Sequence, residues 1–336
     1  MSSRLPTKLL ATAALAAALT APAAAFALDK LTVVLSYVPN VEAFGAEYAL
    51  HSGFFKDEGL DVTLVPAGQG IDQVQMVAAG TADIGITGPE SILAGVEKGE
   101  KFKIFAAEFQ KSPVAMTCRK DSGVTKPADL KGKTLGVKTA AKPYADLFLK
   151  KNGLSPSDVK TTSIGGQDIS LIIAGRIDCE VTTFAFNEPR LIDAAGVPVV
   201  VLPLGDFGLN AQTNSYFVKD SFFSDPAKKA LLVKYLSAEI KAWEVFFKNP
   251  EAAAKYIVDG QFVDGLDIAQ QTYQAQQMVS YMKDKLTAEK GLMWVSPATW
   301  KETAENALAA GVTSKVVDVS GMLTTEILEK ASPPKM

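Results

Sequence analysis

One histidine and two cysteines in 336 residues remove whole classes of chemistry. No histidine or cysteine spacing of the zinc type is present, so no metal centre is expected. The lone His51 falls near the end of a helical segment, where a cation is mildly stabilised; a structural role is favoured over metal binding or catalysis. The formal charge of −3 has no basic run behind it, and nothing points to nucleic acid. Beyond the N-terminal segment there is no stretch of about eighteen apolar residues, so membrane contact is expected only through a partner. Gly68-Gln69-Gly70 follows the second strand of its unit and lacks the third glycine of a dinucleotide fingerprint. A phosphate loop is missing as well, and no cofactor is expected.

What is present begins with an export signal. Arg4 and Lys8 precede an apolar run from Leu9 to Leu19 that is too short to span a bilayer, and Ala25-Phe26-Ala27 fits a signal peptidase. Residues 1–27 are expected to be a cleaved signal peptide, with the mature chain starting near Leu28. A retained anchor helix is the bland alternative. No cysteine lies near the cut to carry a lipid anchor, so a soluble periplasmic protein is expected, as a monomer. In an oxidising compartment Cys118 and Cys179 are either one disulfide or two buried thiols. The thiols are preferred, because sequence does not show whether the two Cα atoms approach.

About 310 residues remain, enough for two domains with cores. Leu31 to Leu35 reads as a strand, Phe44 to His51 as a helix stopped by Gly53, and Asp61 to Val65 as a second strand. Gly68-Gln69-Gly70 then opens a helix closed by Gly80, and Asp83 to Thr87 is a third strand. The pattern returns with a strand at Thr134 to Val137 and a helix from Pro143 to Lys151. A strand at Val159 to Ile164 follows, then a helix opened by Gly165-Gly166-Gln167 and a strand at Cys179 to Thr183. Strands alternating with helices predict an α/β architecture of two lobes, each with a central, mostly parallel sheet. Val114 to Arg119 and Ser215 to Lys219 look like strands where the chain passes between lobes, a two-strand hinge. The expected lobes are 28–115 plus 215–336, and 116–214. From Ser224 the chain is helical and is assigned mainly to the first lobe, with Trp243, Phe246 and Phe247 in its core.

The segments GFFKDEGLDV, MVAAGTADIGITGPES, PADLKGKTLGV and AGRIDCEVTTFAFNEP resemble the THI5/NMT1-like substrate-binding proteins of ABC transporters. The resemblance covers nearly the whole mature chain. It implies a type II periplasmic-binding-protein fold that delivers a small molecule to an ABC permease with its ATPase. The family's pyrimidine-synthase branch carries a cysteine-rich motif and active-site histidines, which this chain lacks, so no enzyme is expected.

Ligands of open α/β sheets sit at strand C-terminal ends. That rule gathers Tyr37, Asn40, Gln69, Thr87, Glu90 and Ser91 from the first unit. From the second it gathers Lys138, Thr139, Tyr144, Gln167, Phe184, Phe186, Asn187 and Glu188. Tyr37, Phe184 and Phe186 are candidates to flank a flat ring, although Phe184 and Phe186 sit at positions of which at most one faces the cleft. Glu90 and Glu188 are candidates to accept from an amine. By resemblance to thiamine-precursor binders, Glu188 is the expected polar anchor; the competing reading makes it a helix-start carboxylate. The expected ligand is a small nitrogen heteroaromatic such as a thiamine pyrimidine precursor. The alternatives are a sulfonate, taurine or nitrate, a synthase-like enzyme, or a receptor presenting ligand to a sensor.

Overall fold

A computed structural model describes residues 28–68, 70–165 and 169–331. The expected signal peptide, Gln69 and Gln167 lie outside the described residues. Ten strands are found among the described residues: β1 (Asp29–Val34), β2 (Leu60–Val65), β3 (Ile84–Thr87), β4 (Phe102–Phe109), β5 (Val114–Arg119), β6 (Thr134–Lys138), β7 (Lys160–Ile164), β8 (Cys179–Phe184), β9 (Val199–Pro203) and β10 (Thr213–Lys219). They form two sheets, ordered β2-β1-β3-β10-β4 and β7-β6-β8-β5-β9.

The two orders are the same arrangement used twice. In the first sheet β1 runs parallel to β2 and β3, while β10 is antiparallel to β3 and β4. In the second, β6 runs parallel to β7 and β8, while β5 is antiparallel to β8 and β9. Each sheet is therefore mostly parallel, and its one reversed strand is the one entered directly from the other lobe. The chain leaves the first sheet at Phe109 and joins the second at Val114, then leaves the second at Pro203 and rejoins the first at Thr213. Both segments read as crossing strands are strands, and each is fully taken up by the sheet it enters.

Helix Phe44–His51 packs on the long helix Pro226–Lys248. Asp225 starts the long helix by accepting from the N–H groups of Ala227 and Lys228, with Pro226 as its first residue, where a missing N–H costs nothing. Its buried stripe, Leu232, Tyr235, Leu236, Glu239, Trp243 and Phe246, has helical spacing. Trp243 and Phe246 are fully buried, whereas Phe247 is only partly so. Gly45 is what lets the two helices approach, because a Cβ there would overlap the Trp243 indole. Gly45→Ala is expected to lower unfolding free energy by about 1–3 kcal/mol, the usual cost of overpacking. Urea unfolding checks this; a variant as stable as the parent would mean that the alanine's helix preference outweighs the overlap.

The helical tail belongs to the first core, with Met278, Trp300 and Ile327 all buried in it. A smaller core lies under the second sheet around Met116, Leu135, Phe148 and Val181. Within it Cys118 and Cys179 face each other across β5 and β8, with Cα atoms 3.9 Å apart, and are disulfide-bonded. The preference for two buried thiols was wrong: the strand register, which sequence separation does not reveal, places them side by side.

Candidate functional site

Side chains that follow the C-terminal ends of β1, β3, β6 and β8 come within electrostatic reach of one another from both lobes. Tyr144, in the helix Lys142–Lys151, lies in the field of Glu90 from the first lobe. Glu42, two residues past Asn40, lies in the field of Glu188 from the second. The helix Ile268–Met282 stitches the seam: Gln270 donates to the Asn187 carboxamide oxygen at 2.9 Å and accepts from Arg190 at 2.8 Å. The Arg190 guanidinium also lies 5.6 Å from the centre of the Tyr273 ring.

The expected first-lobe residues divide into exposed, capping and buried groups. Tyr37 is 38% exposed. Asn40 caps the short helix Val41–Ala43, accepting from the Glu42 N–H at 2.7 Å. Thr87 is buried at the end of β3. Glu90 folds back over Gly88 at the start of helix Pro89–Glu97. Its carboxyl is raised above the ordinary range, first by burial, against the pull of its own N–H. Ser91 is exposed and faces a shallow depression beside Ile71 and Gln75, so it points along the outer face of that helix.

In the second lobe Lys138 donates to the Thr182 carbonyl at 3.1 Å and lies 4.0 Å from Glu180. Thr182 is the extra residue at a bulge in β8 and has φ +70, a conformation uncommon for a β-branched residue. The cation is thus tethered to its own sheet. Thr139 is exposed and shares a 3.2 Å bond with Ser163. The Tyr144 hydroxyl is buried with no hydrogen-bond partner, and burial raises its pKa, with Glu90 adding to the effect. Phe184 is half-buried.

Phe186 does not flank the cleft. It is fully buried among Phe109, Phe184 and Tyr281, with ring centres 5.5–5.7 Å apart, and joins the first lobe's core where the chain turns. Glu188 is 2% exposed and accepts the Phe184 N–H at 2.8 Å, closing the turn that starts helix Glu188–Ala194. Burial raises its pKa, while that N–H, its own N–H and the charge of Lys138 lower it.

Beside these residues lie polar side chains that sequence did not single out. Glu42 is half-buried; its Oε1 accepts from Gln274 at 2.6 Å. Enclosure, then the charge of Glu188, pushes its pKa up to about 8, against the hydrogen bonds from Asn40 and Gln274. Gln271 accepts the Val41 N–H at 2.8 Å. Glu108 on β4 is 3% exposed, takes a 3.3 Å bond from Asn214 on one oxygen, and has no hydrogen-bond partner on the other. Burial, then Glu42, raises its pKa. Proximity to Asn40 was the one signal for Glu42. In the run IAQQTYQAQQ nothing distinguishes buried Gln270, Gln271 and Gln274 from exposed Gln276 and Gln277.

The site is acidic and carries aromatic surface. Among the described residues no group of three or more His, Cys, Asp or Glu side chains could hold a metal ion, and no helix is long and apolar enough to cross a membrane. The NMT1/THI5-like family model matches residues 40–253. The riboflavin-binding protein RibY of Chloroflexus aurantiacus is 27% identical over 323 residues, 93% of this chain and 90% of that protein. The formylaminopyrimidine-binding protein of Halalkalibacterium halodurans is 23% identical over 281 residues, 82% and 84% of the two chains. The 4-amino-5-hydroxymethyl-2-methylpyrimidine phosphate synthase THI5 of Saccharomyces cerevisiae is 25% identical over 258 residues, 73% and 75%. In fold, the chain is similar to the periplasmic aliphatic sulphonate binding protein SsuA of Escherichia coli. The TM-score is 0.65 at 16% identity, covering 88% of this chain and 92% of that one.

Proposed function

The chain belongs to the NMT1/THI5-like family, and from that premise we propose that it is the periplasmic solute-binding component of an ABC importer, holding a small nitrogen heteroaromatic between its lobes. The observation that carries this reading is a set of enclosed carboxyl groups beside ring surface. Glu42, Glu90, Glu108 and Glu188 all have raised pKa values, with burial as the first cause. Lys138, the cation among the expected site residues, donates to the Thr182 carbonyl and lowers the Glu188 pKa. An amino-substituted ring can donate N–H groups to these carboxyls and take a proton from one of them, a charge-assisted pairing that a simple sulfonate or nitrate, with neither N–H donors nor a basic ring nitrogen, does not form. Tyr37 and Phe184 offer ring faces for stacking. RibY and the formylaminopyrimidine-binding protein, by their names, bind flat nitrogen heterocycles, and that agrees with the reading. The likeness to SsuA concerns the fold alone.

A synthase reading is less well supported. The single histidine ends helix Phe44–His51, 3.4 Å from Glu47 and stacked on Phe262, a structural setting outside the cleft. A permease with its ATPase is the proposed partner, and transfer to a sensor is the competing one.

Titration calorimetry against riboflavin, formylaminopyrimidine, 4-amino-5-hydroxymethyl-2-methylpyrimidine, taurine and nitrate tests the ligand class. At least one heterocycle is expected to bind about 100-fold or more tightly than either anion, the effect of about 2.7 kcal/mol. Micromolar binding of taurine or nitrate with no response to any heterocycle would overturn the ligand assignment.

A further inference from the structure

Resting on the reading of the cleft as a heterocycle site, we propose that Glu42, held by Gln274, is the specificity-determining acceptor, selecting ligands that present an amino group beside a ring nitrogen. The expected anchor, Glu188, is poorly placed for that task. It is 2% exposed, and its Oε2 already takes the Phe184 N–H. Glu42 is the less buried residue of the pair, and bonding a ligand there would not break the turn that starts a helix.

The surroundings of Glu42 are built to hold it still. Asn40 takes its backbone N–H, Gln271 takes the N–H of Val41, and Gln274 donates to its Oε1. Gln271 and Gln274 are 5% and 1% exposed, so their amides are fixed by packing, and the carboxyl direction is set before any ligand arrives. Such preorganisation reduces what ordering costs on binding. Fixed amide donors leave lone pairs on both carboxyl oxygens, since each can accept two bonds.

Charge supplies the second line of argument. Several surface carboxylates here have lysine partners, as Glu58 has Lys241 at 2.7 Å and Asp29 has Lys234 at 3.0 Å. Among the described residues neither Glu42 nor Glu108 forms an ion pair. Glu108 is an independent sign of something to be received: one of its oxygens is buried with no hydrogen-bond partner, and the group lies in the field of Glu42. Buried acceptors without partners are costly. At neutral pH Glu42 holds a proton; an aminopyrimidine edge can take that proton on its ring nitrogen while its amino group donates to the resulting carboxylate, which leaves a charge-assisted pair at Glu42.

The test compares 4-amino-5-hydroxymethyl-2-methylpyrimidine with its 4-oxo analogue, in the wild type and in Glu42→Gln, by calorimetry. Glutamine keeps the shape and one acceptor but cannot give up a proton to a ring nitrogen, and so cannot form the charged pair. The wild type is expected to prefer the amino compound by about 30-fold, within the range for hydrogen bonds to charged groups. In Glu42→Gln that preference is expected to fall to roughly 3-fold or less, with the affinity for the oxo compound changed little. Gln274→Ala should lower the preference in the same direction by releasing the carboxyl. An unchanged amino-to-oxo ratio in Glu42→Gln, with both compounds still bound, overturns the role of Glu42 and leaves the heterocycle reading intact. A wild type that binds neither these two compounds nor any other nitrogen heterocycle overturns both.

Discussion

Replacing both Cys118 and Cys179 by alanine is expected to lower the unfolding free energy by about 4 kcal/mol, the chain-entropy effect of opening a loop of this size. The two residues are 61 apart in sequence, so the bond restricts most of the second lobe's first three strands in the unfolded chain. It joins β5, the strand entered from the first lobe, to β8, whose end carries Phe184 and leads to Glu188. The second core is the smaller of the two main clusters, so the lobe relies more on this link than the first lobe would. Scanning calorimetry of the double variant against the parent measures the effect. A melting temperature within a degree of the parent would show that the bond does not restrict the unfolded chain as argued.

Much of the architecture was legible because it is periodic. Helix Phe44–His51 matches its expected bounds, and both β-α-β units lie where alternating runs and closing glycines put them. β4 was passed over because FKIFAAEF is apolar on both faces, as befits a strand buried nearly throughout, and such a run has no period to read. The disulfide was not legible, since its two cysteines meet only through the register of β5 on β8.

The site was readable only as far as backbone position goes. Strand ends brought Tyr144 into the field of Glu90, and Glu42, beside Asn40, into that of Glu188. Which side chains turn inward depends on tertiary contacts. Phe186 belongs to an aromatic core with Phe109 and Tyr281, 77 and 95 residues away by their numbers. Lys138 is held by a carbonyl that comes into reach at a bulge, a feature invisible to alternation. Glu42 gained its importance from a helix that begins more than two hundred residues later.

Stability is expected to be greatest near pH 5 and to fall toward pH 8, the reverse of the usual acid denaturation. Three carboxyls set the direction: burial is the first cause that raises Glu42 to about 8 and Glu47 and Glu239 each to about 7, from 4.5. A raised carboxyl pKa means that the folded state holds the proton more tightly than the unfolded chain. Its contribution is therefore fully present below about pH 4.5, declines as the unfolded chain ionises, and is gone above the folded value, here pH 7 to 8. Asp121, Asp129, Asp158 and Glu326 are shifted the other way, each first by hydrogen bonds. Their contribution is present above about pH 4 and lost only in stronger acid, so it does not offset the decline between pH 5 and 8. At about 1.4 kcal/mol per pKa unit the three shifts together would give roughly 10 kcal/mol over this range, and halving that for relaxation and water penetration around buried carboxyls leaves a loss on the order of 5 kcal/mol. That corresponds to a fall of roughly 10 °C in melting temperature for a chain of this size. Glu239 makes the assignment separable from ligand binding, because it lies in the first core, accepting the Tyr216 hydroxyl at 2.6 Å. Glu239→Gln keeps that acceptor without a titrating proton, and should flatten the decline by about a third. Melting curves at constant ionic strength from pH 5 to 9 decide the matter; a melting temperature that is level or rises across that range would mean that these carboxyls ionise in the folded protein much as they do in water.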